Sequence, residues 1–107
     1  MSPVFTHYVL SRDADQDVSD IFDYSVQMFG VSQAADDLLS LDACFESLVA
    51  NPDLGRERNE IRPGLRSVPV GGHVVFYRID ESFLRIVRVL HGSRDLPRHF
   101  PEAPEGA

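Results

Sequence analysis

Lysine and tryptophan are both missing from this chain of 107 residues, cysteine occurs once, and no apolar run approaches the length of a membrane span. Each gap removes a class of chemistry. Without lysine there is no amine to act as a general base or form a Schiff base, and all ten positive charges are arginine. Cys44 alone cannot make an internal disulfide, which fits a reducing compartment. The apolar stretch Val4 to Leu10 is broken by Thr6 and His7, far short of the roughly 18 residues a spanning helix needs. His7, His73, His91 and His99 are not spaced with Cys44 or with one another as zinc ligands are, and no glycine-rich phosphate loop is present. The expectation is a cytoplasmic protein with no metal, no cofactor and no membrane association.

What is present is an ordinary globular composition, 43% apolar and 25% charged, with a net charge of −7. The length suits one domain with one core. The charge is unevenly placed. Residues 1–53 contain ten acids and only Arg12, whereas residues 54–107 contain nine arginines and seven acids. The second half could therefore meet an acidic partner, while the acidic whole gains little attraction to nucleic acid, and no direct nucleic-acid binding is expected.

Periodicity supplies the elements. Thr6 to Leu10, rich in β-branched and aromatic residues, predicts a short strand. A helix should start near Asp13, with Gln16 three residues on as in a capping box. Ala14, Val18, Ile21, Phe22, Ser25, Met28 and Phe29 then fall on one face until Gly30 stops the helix. Ser32 is placed to cap a second helix whose inner face holds Ala34, Ala35, Leu38, Leu41, Phe45, Leu48 and Val49, ending at Asn51-Pro52. Pro52 to Gly64 reads as a loop. Leu65 to Val70 should pair with His73 to Ile79 across the Gly71-Gly72 turn, with Pro69 marking an edge, and Phe83 to Leu90 should form the last strand. The predicted fold is α+β: two layers in the order β-α-α-β-β-β, a helical hairpin packed on a small, mostly antiparallel sheet. The domain should occupy residues 1–100, and residues 101–107 read as a disordered tail.

Taken together, three segments resemble the ParE/RelE superfamily of type II toxin–antitoxin toxins, and its ParE branch in particular. They are DVSDIFDYSVQMFG (Asp17 to Gly30), NPDLGRERNEIRPGLRSVPVGGHVVFYRI (Asn51 to Ile79) and RVLHGSRDLPRHF (Arg88 to Phe100). The resemblance covers roughly residues 6–100 and rests on co-occurrence in order. It implies a toxin neutralised in a hetero-oligomer by a cognate antitoxin that folds on binding, laying a helix in a groove or a strand on a sheet edge. For the ParE branch it implies DNA gyrase as the target and a protein inhibitor rather than a catalyst. RelE-type relatives instead cut mRNA on the ribosome, and that alternative has candidates here in His91 or His99 as acid or base and in Arg62, Arg66, Arg78 and Arg88 over phosphate.

No catalytic residue is assigned. Arg56, Arg58, Arg62, Arg66, Arg78, Arg88, His91 and Arg94 are the candidates for contact with antitoxin or target, since arginine grips carboxylates bidentately. Each has a plainer role available, as an ion pair with a nearby acid, as a stem lying over apolar residues, or, for His91, as a packed residue ending a strand. Cys44 beside Phe45 reads as core.

Overall fold

The computed structural model describes residues 7–81 and 83–92. Thr6, Ser82, Arg94 with the stretch to Phe100, and the 101–107 tail lie outside the described residues. Five strands form one mixed sheet in the order β1-β5-β4-β3-β2: β1 Tyr8–Leu10, β2 Arg56–Glu57, β3 Arg66–Val70, β4 His73–Ile79 and β5 Leu84–His91. β1 runs parallel to β5, and the other pairs are antiparallel. Helices α1 (Arg12–Phe29) and α2 (Val31–Ala50) form the hairpin on one face. The predicted α+β class and layer arrangement are what the chain adopts.

α1 starts one residue earlier than predicted, and its cap is Ser11. The Ser11 hydroxyl accepts from the Ala14 N–H (3.0 Å) and donates to the Val87 carbonyl (2.8 Å), so one side chain caps the helix and ties it to β5. Gln16 closes no capping box. It donates to Asp20 one turn on. Gly30 stops α1 as predicted, with φ of +95°, a conformation that side-chain-bearing residues rarely adopt. It is also the residue from which α2 starts, so Val31 is already helical and Ser32 provides no cap.

The predicted loop from Pro52 to Gly64 contains a short 3-10 turn (Pro52–Leu54) and β2, whose two residues pair with Ser67 and Arg66. Beyond that reach β3 is an edge, and there Pro69, which has no N–H to give, is tolerated. At the β3–β4 turn only Gly71 takes a positive φ (+59°).

The main core lies between hairpin and sheet: Ala14, Leu41, Phe45 and Leu48 from the helices meet Val75, Tyr77, Leu84, Ile86 and Val89. A second, smaller cluster of Leu65, Phe76 and Leu90 fills the opposite face, with Ile61, Val74 and Val87 packed on it. A bulge makes both possible. Phe76 pairs with Arg88 but Tyr77 with Ile86, so Val87 is an extra residue in β5 and the alternation restarts after it. Ile86 and Val89, three apart, then serve the same core.

Tyr77 locks the connection to α2. Its hydroxyl donates to the Pro52 carbonyl and accepts from the Gly55 N–H, both at 2.7 Å. A Cβ on Gly55 would lie 2.5 Å from that oxygen, so this glycine is required by close approach. Tyr8 joins β1 to α2 through a 2.7 Å bond to Asp42, and burial together with that carboxylate pushes its phenol up to about 12.

Candidate groove at the hairpin end

The hairpin is longer than the sheet beneath it. The main core draws on no helical residue between Phe22 and Ser40. At that end only the small residues Ser25 and Ala34, which face the opposing helix, are buried. Met28 and Phe29, predicted on the inner face of α1, are 57% and 64% exposed, and on α2 Ala35 and Leu38 are exposed as well. Periodicity had assigned them to a face, and the face runs out of sheet. Tyr24, 60% exposed, joins Met28 and Phe29 in an apolar band along the end of α1, and Val31 and Leu39 of α2, each 66% exposed, stand in water as well. Large apolar surface left in water is uncommon on a monomeric protein.

Between this band and the β3–β4 turn lie two adjoining hollows of about 520 and 560 Å³, which share Ile21, Phe29, Asp37 and His73. Leu41 and Val70 add apolar lining to one, and Tyr24, Asp20 and His91 line the other. Asp37 is fixed by two neutral donors: Ser25 Oγ donates to one oxygen at 2.7 Å, and Gln33 Nε2 donates to the other at 3.0 Å. His73 and His91 are cross-strand partners with ring centroids 5.3 Å apart and edge-on. Burial, and then the neighbouring His91, hold His73 below its ordinary pKa, while Asp37 works weakly in the other direction.

The predicted arginines among the described residues are not gathered into one site. Arg58 donates to Glu60 (2.7 Å) and Ser67 (3.2 Å) and lies over the Phe76 ring, and that bond holds the Glu60 carboxyl below its usual range. Arg66 donates to the Gly55 carbonyl at 2.7 Å and pairs with Glu57 at 3.3 Å and Asp53 at 3.6 Å. Arg56 is exposed on β2, and Arg62 is half-buried in the loop beyond it. Arg78 sits opposite Arg85, which sequence reasoning had not singled out, and Asp80 lies between the two guanidiniums at 3.7 and 3.2 Å. Arg88 does not share a solvent face with Arg78. It grips Asp17 of α1 with two bonds of 2.8 Å, while the same carboxylate accepts from the Val89 N–H. Among the described residues of the predicted set, only His91 lines the groove.

Asp37, Tyr24, Phe29 and His73 are the groove residues that sequence reasoning passed over. Their signal was indirect: Tyr24, Val31 and Leu39 lie outside the counted stripes, so the hairpin carries more apolar surface than a small sheet can cover. Ser25 donates to Asp37 and not to an imidazole, so no Ser-His-Asp relay exists here. Cys44 is half-buried against the main core, and burial pushes its thiol up, away from a nucleophilic thiolate. Among the described residues, no group of three His, Cys, Asp or Glu is placed to hold a metal ion. No helix among them is long and apolar enough to cross a membrane.

Residues 8–96 match the family described as ParE toxin of type II toxin-antitoxin system, parDE. The chain is 42% identical over 93 residues to Toxin ParE1 of Caulobacter vibrioides, covering 87% of this chain and 96% of that protein. It is 38% identical over 96 residues to Toxin ParE1 of Mycobacterium tuberculosis, covering 89% and 98% respectively. In fold it is similar to a chain of the chromosomal ParDE TA system from P. aeruginosa, with a TM-score of 0.74 at 19% identity over 86% of this chain and all of that one.

Proposed function

The chain belongs to the ParE toxin family of type II toxin–antitoxin systems, and we propose that it acts in the cytoplasm as a protein inhibitor of DNA gyrase, blocking replication. In this reading it is silenced when a segment of its cognate antitoxin folds into the groove at the hairpin end, giving a hetero-oligomer. The observation that carries the antitoxin half is the band of exposed apolar side chains beside an open groove. A segment that folds on docking would bury that band, and the area removed from water would offset the ordering of the segment. The gyrase half is supported by the family and by the long likeness to the ParE1 toxins.

Arg56 and Arg78, both turned at least partly to solvent, are carried forward as contacts to the target. Inhibition is favoured over RNA cleavage by the surroundings of His91. Among the described residues its neighbours in the groove are His73, Asp20 and Asp37, so a phosphate brought there would meet carboxylates and none of the described guanidiniums.

Purified protein should inhibit gyrase supercoiling of plasmid DNA, and co-expressed antitoxin should copurify with it and relieve growth arrest. If supercoiling is untouched and primer extension on expressing cells shows cuts within translated messages, the reading is wrong and the ribonuclease replaces it.

A further inference from the structure

The groove carries an electrostatic demand as well as an apolar one. From Asp13 to Asp53 the chain has ten acids and no lysine or arginine, so the only Arg of the hairpin, Arg12, stands at its other end. Two of those acids, Asp20 and Asp37, line the hollows, and neither forms an ion pair among the described residues. Asp37 is the more constrained. Half-buried and oriented by Ser25 and Gln33, it has donors for both oxygens, but among the described residues no arginine pairs with it. Covering the apolar band would strip water from this carboxylate, and a desolvated charge without a counter-charge is costly. A ligand that covers the band must therefore bring the missing charge.

We propose, building on the antitoxin reading above, that the segment filling this groove is an amphipathic helix that presents an arginine or lysine to Asp37, and that this pair decides which antitoxins the toxin accepts. Its apolar ridge lies against Ile21, Tyr24 and Phe29, and its cation meets Asp37 beside His73. A second copy of this chain does not fit, because it would set one acidic hairpin against another. An acidic segment is rejected for the same reason, whatever apolar contacts it offers. Apolar contact supplies most of the area, and the charge supplies the discrimination, since a mismatch leaves Asp37 buried and unpaired.

The test uses full-length toxin with its cognate antitoxin, titrated at several salt concentrations. Asp37→Asn should bind on the order of tenfold or more weakly, as expected for loss of one charge-assisted hydrogen bond, with a shallower salt dependence. Asp37→Arg should bind weaker still. Asp23→Asn, which removes an exposed charge outside the groove, should stay within about twofold, consistent with the small worth of an exposed charge. Ser25→Ala separates the charge from the inter-helix bridge: it cuts the hydroxyl link and keeps the carboxylate, so it should cost much less than Asp37→Asn. The proposal is overturned if Asp37→Asn leaves affinity and salt dependence unchanged, or if Ser25→Ala weakens binding just as much. It also fails if the free toxin is a dimer that Asp37→Asn tightens, since a second copy would then cover the groove. Unchanged binding by the variant leaves the antitoxin reading standing, whereas no binding by the unaltered toxin removes both.

Discussion

The two halves of the helical hairpin were written in the same apolar periodicity and meet opposite fates. Near the β1 end, Ala14, Leu41, Phe45 and Leu48 are almost wholly buried against the sheet, while toward Gly30, Phe29, Val31 and Leu39 stand about two-thirds exposed. The difference is not in the helices. One half lies on the sheet and the other overhangs its rim across open hollows, so the same pattern gives a core in one place and an uncovered apolar face in the other. Burial in the first half stabilises the fold by itself, and burial of the second is what the proposed antitoxin segment would add.

The sharpest way to break the comparison is a matched pair of truncations. Leu48→Ala should cost roughly 2–5 kcal/mol, the range for a buried leucine replaced by alanine, measured by urea unfolding. Next in size is Asp17→Ala at the anchored half. It strands the half-buried Arg88 guanidinium and the Val89 N–H, and should cost on the order of 2–3 kcal/mol, with loss concentrated where α1 meets β5.

A smaller effect follows from His73, at the border between the halves. Its folded-state pKa is depressed below the ordinary 6.5, so the unfolded chain takes up its proton first. This group therefore adds a loss of stability that begins as pH falls through about 6.5 and levels off below the folded value. Comparing unfolding midpoints at several pH values for the unaltered chain and His73→Gln should show a shallower acid slope in the variant. The smallest stability effect belongs to Phe29→Ser, within about 0.5 kcal/mol, as for surface changes generally. The same variant should weaken antitoxin binding several-fold, and if it does not, the exposed half is not the docking surface.

The pattern of residues made much of this visible in advance. His73–Ile79 matched its predicted bounds because the Gly71-Gly72 turn and the alternation agree, and Gly30 ended α1 where a positive φ was needed. The rest depended on distant partners. β2 is a strand only because Arg66 and Ser67 run beside it, and nothing within Arg56-Glu57 announces that. Ser11 won the cap from Asp13 because its hydroxyl also reaches Val87, 76 residues away. Arg88 is committed to Asp17 across 71 residues, a separation at which local spacing has no purchase. The exposure of Met28, Phe29 and Leu38 followed from the extent of the sheet, which helical periodicity does not encode. For the groove, the sequence carried only an excess of apolar residues and a surplus of acids, and their meeting at Asp37 is a property of the folded chain.

The seam between α1 and β5 has a bearing on how the protein survives overproduction. Past the end of β1, the outer rim of β5 would otherwise offer unpaired amides to any passing chain, but Ser11 and Asp17 occupy the Ile86 and Val87 carbonyls and the Val89 N–H. With β1 only three residues long and β2 only two, the sheet among the described residues has no stretch of rim that is both long and flat. Edge-to-edge pairing between separate molecules therefore finds few rungs to start from along this rim.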